Sequence, residues 1–158
     1  MTPRIDLLPI ERGGHADVPA GTSSPELQDV LTSTAGLYES AGFVPPWICY
    51  LVTRDGGIVG TCGFKGPPRD GRVEIAYFTF PPNEGAGLAT AMAQALVSLA
   101  SRTDPRLVVF AQTLQDRNAS HRVLEKLGFE RAGLVEHPED GTILEWVRPP
   151  AAGAMPPR

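Results

Sequence analysis

Two cysteines in 158 residues are too few for a disulfide framework. Cys49 and Cys62 therefore read as reduced core thiols. Cys, His and acidic residues show no metal-ligand spacing, so no metal is expected. Membrane-length apolar runs are missing, which removes the membrane as a partner. The opening MTPRIDLLPIERGG has neither the h-region nor the cleavage site of a secretory signal. Basic runs are missing as well. Lys and Arg number 14 against 18 Asp and Glu, giving a net charge of −4 and a pI of about 5.3. That balance argues against nucleic acid as a direct partner. A cytoplasmic protein is the default these absences leave.

What is present is enough for a core. Hydrophobic residues make up 42% of the chain and charged residues 20%, the range of a folded domain rather than a disordered segment. Residues 1–148 are expected to form one domain. The stretch 149–158, PPAAGAMPPR, has no pattern and is expected to be a disordered tail.

The chain is organised around Arg72 to Ala100. In RVEIAYFTF, Val73, Ile75, Tyr77 and Thr79 alternate with Glu74, Ala76, Phe78 and Phe80, so this is a strand that Pro81 and Pro82 stop. Leu88, Ala91, Met92, Ala95, Leu96 and Leu99 form one apolar helical stripe. Between them, Gly85-Ala86-Gly87 opens the helix. A strand, a Gly turn and a helix N-terminus present free N–H groups and a positive dipole end, which suits a phosphate. Three ligands compete on this loop. The nucleoside-triphosphate pattern lacks its Lys. The dinucleotide pattern has Thr90 where Gly or Ala belongs. The third is the pyrophosphate loop of an acetyltransferase family, Gln/Arg-x-x-Gly-x-Gly/Ala, which Glu84 to Ala89 match at Gly87 and Ala89 and miss at Glu84.

A second stretch decides between them. Asn118-Ala119-Ser120-His121-Arg122-Val123-Leu124-Glu125-Lys126-Leu127-Gly128-Phe129 closely resembles the segment NASxRVLEKLGF of the GNAT acetyltransferases, at the expected distance downstream. As a helix it places Val123, Leu124 and Leu127 on an apolar side and His121, Arg122, Glu125 and Lys126 on a polar one, with Asn118 as N-cap and Gly128 at C′. With both stretches in order, the chain is identified as a member of the GNAT superfamily, most similar to the ribosomal-protein N-terminal acetyltransferase branch. The resemblance covers roughly Val52 to Val147.

The elements read β-α-β-β-β-α-β-α-β-β. Ser24-Pro25-Glu26 starts the first helix, which runs to about Ser40. Asp55-Gly56-Gly57 turns a hairpin, and Arg106 to Gln112, with Leu107 to Ala111 apolar in sequence, is a buried strand. The fold class is α/β (α+β): a GNAT-like mixed, mostly antiparallel central sheet with helices on both faces. The resemblance implies that the central strand splays from the strand after the central helix. A pantetheine arm would then lie between the Phe78–Pro82 edge, including Phe78, Thr79 and Phe80, and the Val109–Thr113 edge.

Function follows as an expectation: an acetyl-CoA-dependent N-acetyltransferase acting on a primary amine by direct attack. Acetyl-CoA and the amine are its partners, and a homodimer is compatible with this. The alternatives are a non-catalytic CoA-binding sensor on the same fold and, more remotely, a dinucleotide-dependent oxidoreductase. Gly85, Ala86, Gly87, Leu88, Ala89 and Thr90 would hold the pyrophosphate. Glu74, a carboxylate among apolar strand residues, should have a raised pKa and is the candidate base. By resemblance, Ser120 stands near the thioester sulfur as the candidate acid. The helix Tyr of many GNAT enzymes is replaced by Leu124, and Asn118 resembles the Asn that contacts the pantetheine arm. Trp47, Tyr38 and Tyr77 could line an acceptor pocket.

Overall fold

The computed structural model describes residues 2–116 and 118–150; the expected tail therefore lies largely outside the described residues. Seven strands form one sheet in the order β1-β2-β3-β4-β5-β7-β6. They are β1 (Asp6–Pro9), β2 (Cys49–Arg54), β3 (Gly57–Phe64), β4 (Arg72–Thr79), β5 (Val108–Thr113), β6 (Glu130–His137) and β7 (Gly141–Arg148). Every pairing is antiparallel except β4 with β5. The β2–β3 turn is Asp55-Gly56, both at positive φ (51° and 83°), between the register pair Arg54 and Gly57. A two-residue turn with both central residues at positive φ matches the strand twist.

Helix α1 (Pro25–Ala41) starts where Ser24 Oγ accepts from Leu27 N at 3.1 Å with Pro25 in the first turn, and it ends at Gly42. Helix α2 (Leu88–Thr103) buries Leu88, Ala91, Met92, Ala93, Leu96, Val97 and Ala100, the stripe read from sequence. Its Met92 reaches Gly60 on β3, while α1 lies over the strand face carrying Gly63, Ala76 and Phe78. Helices therefore cover both faces, as expected. At Gly63 a Cβ would stand 2.6 Å from Cys49 Cα, so only glycine lets β2 and β3 approach there.

Helix α3 (Ala119–Lys126) packs beside α2. One side chain on it differs from the sequence reading. His121 was assigned to the polar side, yet it is 1% exposed. Its Nε2 lies 2.9 Å from Leu114 O and its ring 5.2 Å from the Trp146 ring. An imidazole has an apolar body, so a position that helical periodicity calls polar can serve as core once a carbonyl meets one nitrogen.

The register places the site. β4 pairs with β5 only through Arg72–Val108, Val73–Val109 and Glu74–Phe110. Beyond Glu74 both strands continue, β4 to Thr79 and β5 to Thr113, without a ladder between them. The sheet opens into a V at this point.

Candidate active site

A cleft of about 520 Å³ lies against the splayed end of β4; the Val109–Thr113 edge, expected to form its other side, does not line it. Tyr77, Phe78 and Thr79 of β4 form one wall; Glu84, Gly85, Gly87, Leu88, Ala89 and Thr90 form the second; Ala119, Ser120, Arg122, Val123 and Lys126 of α3 close the third. Of the residues expected to hold cofactor, seven converge here: Phe78, Thr79, Gly85, Gly87, Leu88, Ala89 and Thr90, with Ser120, the candidate acid, beside them. Three do not line it. Phe80 turns into the core and is 7% exposed. Ala86 is exposed on the loop. Asn118 spends its side chain on the helix start, its Oδ1 accepting from Ser120 N at 2.9 Å and its Nδ2 donating to Asp116 O at 2.9 Å.

The chain builds the anion end with backbone. Gly87 is the N-cap of α2 at φ 76°, a conformation that costs glycine little, and no side chain caps the helix. The first intrahelical bond runs from Ala91 N to Gly87 O at 3.2 Å. The N–H groups of Leu88, Ala89 and Thr90 therefore precede the helical ladder and stand at the cleft, at the positive end of the dipole. Glu84 is exposed, where water screens its charge. Arg122 and Lys126 bring two cations to the opposite wall. They were read only as the polar side of α3; their i, i+4 spacing on one face was the signal that they act together.

The β4 and α3 walls of the cleft carry hydroxyls. Among the described residues, Tyr77 Oη and Thr79 Oγ1 are buried side-chain atoms with no hydrogen bond of good geometry. The Ser120 side chain stands beside the Tyr77 hydroxyl. Burial pushes the Tyr77 phenol up to about 12, and Ser120 opposes part of that rise. Tyr77 thus stays a donor throughout the neutral range. Tyr38 and Trp47 prove to be core instead. The Tyr38 hydroxyl donates to Ile10 O at 2.7 Å and accepts from Cys49 N at 2.9 Å, and Trp47 packs edge-on against Phe64.

A second cavity, about 320 Å³, lies on the other face of β4 beneath α1. Tyr77 and Phe78 border both cavities, so the two meet at the splayed end of β4. Glu74 lines neither. It sits on the second cavity's face, two residues before Ala76, and its Oε2 is 3.8 Å from the Nζ of Lys65, which does line it. Burial raises the Glu74 pKa. Lys65, His137 and Arg72 oppose the rise, while Glu145 adds to it. Burial also lifts the Cys49 thiol to about 11 and the Cys62 thiol further, which leaves neither as a nucleophile at neutral pH.

A cleft bordered by β4 and α3, with an uncapped helix N-terminus and hydroxyl donors in its walls, suits a ligand that carries phosphate and a reacting carbonyl. Residues 15–130 match the family model of the acetyltransferase (GNAT) domain. The chain belongs to the GNAT acetyltransferases, enzymes whose acyl donor is acetyl-CoA. It is 30% identical over 94 residues to N-acetylaspartate synthetase of Xenopus tropicalis, a match covering 58% of this chain and 34% of that protein, so the chain spans about a third of that relative's length. Solved structures share its fold. A GnaT-family protein of Bordetella pertussis superposes with a TM-score of 0.64 at 22% identity, covering 94% of this chain and 97% of the other. RimL, a ribosomal L7/L12 alpha-N-protein acetyltransferase in complex with coenzyme A, gives 0.64 at 20% identity, covering 83% and 75%. Among the described residues, no helix is long and apolar enough to cross a membrane.

Proposed function

We propose that residues 1–148 act as one unit that transfers the acetyl group of acetyl-CoA to a primary amine by direct attack, in the cytoplasm. The observation carrying this reading is the meeting of the two cavities at Tyr77 and Phe78, which gives donor and acceptor a common border. The backbone N–H groups of Leu88, Ala89 and Thr90 hold the pyrophosphate, with the Thr90 hydroxyl in reach and Arg122 and Lys126 supplying countercharge. Gly85 and Gly87 let the loop approach, and Ala86 keeps its outer side small. Phe78 and Thr79 flank the pantetheine arm, while Phe80 and Asn118 support it from behind by anchoring β4 and α3.

Bound acetyl-CoA supplies the activated acetyl group. Glu74, directly or through one water, takes the proton from the acceptor ammonium, because an alkyl ammonium has no lone pair with which to attack. The C–N bond forms as the C–S bond breaks. The nitrogen sheds its second proton as the amide forms; that proton passes through Ser120 and Tyr77 to the departing sulfur, which leaves as thiol, and Glu74 gives its own proton to solvent. The raised thiol pKa values of Cys49 and Cys62 support direct attack over an acyl-cysteine intermediate. Free thiols also suit a reducing compartment. The test is release of CoA thiol from acetyl-CoA on addition of amines. Amine-dependent release supports the reading; acetyl-CoA binding with no release across a broad amine panel would make this a CoA sensor instead.

A further inference from the structure

The acceptor cavity holds more information than its position. Its walls are Asp29, Val30, Ser33, Thr34 and Leu37 of α1 against Cys49 and the β3–β4 surface, and they are predominantly apolar. The polar side chains in its floor are already engaged. Thr61 Oγ1 donates to Tyr50 O at 2.9 Å. Cys49 Sγ lies 3.8 Å from Phe64 O, with the Thr34 side chain beside it. Lys65 faces Glu74. Asp29 and Ser33 are exposed on α1, and the Tyr77 hydroxyl, which borders both cavities, has Ser120 beside it.

Such a cavity accepts some amines and refuses others. The reacting nitrogen belongs at the Tyr77–Phe78 border, where the donor cleft opens. Whatever else the acceptor carries must enter a space offering Val30, Leu37, Phe64, Ala76 and Phe78 as partners. A second ammonium there would lose its water and meet Lys65 as a like charge, while Asp29, the carboxylate among the wall residues, is exposed and keeps its own water. An apolar group loses nothing and gains about fourfold in affinity for each methylene buried.

We propose that the acceptor is a primary amine bearing one compact, uncharged apolar arm that lies in the cavity under α1, and that polyamines and other polycationic amines are excluded. The inference rests on the acetyl-transfer reading and narrows it to a substrate class. Val30 and Leu37 are the selecting residues.

The test uses the complete chain with CoA bound. Propylamine, butylamine, pentylamine, hexylamine and spermidine are titrated by calorimetry, and the same amines are run in the thiol-release assay with acetyl-CoA. Affinity and kcat/KM should rise about fourfold per carbon along the alkyl series. Spermidine should fall at least tenfold below hexylamine. Val30→Trp, which fills the cavity, should flatten the series; if that variant fails to fold, the wild-type series decides alone. A flat wild-type series, or tighter binding of spermidine, overturns the cavity assignment. Apolar amines that bind in graded order with no thiol release overturn the acetyl-transfer reading instead, so the two failures are told apart.

Discussion

Lys65 Nζ stands 3.8 Å from Glu74 Oε2, and the carboxylate is nevertheless held above its ordinary pKa. Burial, the largest effect on Glu74, outweighs a half-exposed ammonium whose field water screens. The consequence is a carboxylate that accepts protons more readily than one in water, beside the apolar cavity under α1.

The sign of that shift makes Glu74→Gln a two-part experiment. A carboxyl with a raised folded pKa favours folding in its protonated form, and this contribution is lost as pH rises from the unfolded value of about 4.3 through the folded one. Glu74→Gln should therefore match or exceed wild type in Tm at neutral pH, and the difference should shrink as pH falls below the carboxylate range. The turnover rate should fall by roughly 10²–10⁴-fold near neutrality, with less loss at high pH where the amine arrives deprotonated. Thermal melts and pH–rate profiles check both parts. A lower Tm with an activity loss equal at every pH would make Glu74 a structural residue.

Tyr77→Phe removes a buried hydroxyl that lacks a well-formed partner. Tm should hold or rise, because no strong hydrogen bond is lost. If the hydroxyl donates to the departing sulfur, kcat should fall about 10- to 100-fold. Loss of Tm with unchanged kcat would place Tyr77 in the core alone.

Arg122→Glu and Lys126→Glu should each raise the KM for acetyl-CoA about three- to tenfold at low salt, with less effect at high salt. The KM for the amine should not move, since neither residue lines the acceptor cavity. Steady-state kinetics at two ionic strengths separate these outcomes from general damage.

How much of this was legible in the sequence differs by element. The strand–loop–helix unit from Arg72 to Ala100 was readable because alternation, two prolines and an apolar stripe each act within a few residues. The Asp55-Gly56 turn and the Asn118 cap are equally local. Long-range consequences were not readable. Strand alternation puts Tyr77 on the face opposite Phe78, but nothing local says that Ser120 arrives beside it. The three-pair register of β4 with β5, which opens the cleft, is a property of two strands 36 positions apart at Arg72 and Val108. His121 was misread because a polar residue at a polar helical position can still be buried by a neighbouring strand, here β7 with Trp146. Asn118 carried a family role by likeness, while its geometry assigns its oxygen to capping.

The most direct test of the central claim is the thermal shift of the wild-type chain with acetyl-CoA, run beside NAD and beside Gly87→Asp. A ligand at 100 times its Kd contributes about 2.7 kcal/mol, which for a chain of this size is a rise of about 5–10 °C in Tm. The account predicts that rise with acetyl-CoA, none with NAD, and its loss in Gly87→Asp, where a charged side chain and an unfavourable φ of 76° would disrupt the loop. No shift with saturating acetyl-CoA on a folded wild-type sample, or an equal shift with NAD, would contradict it.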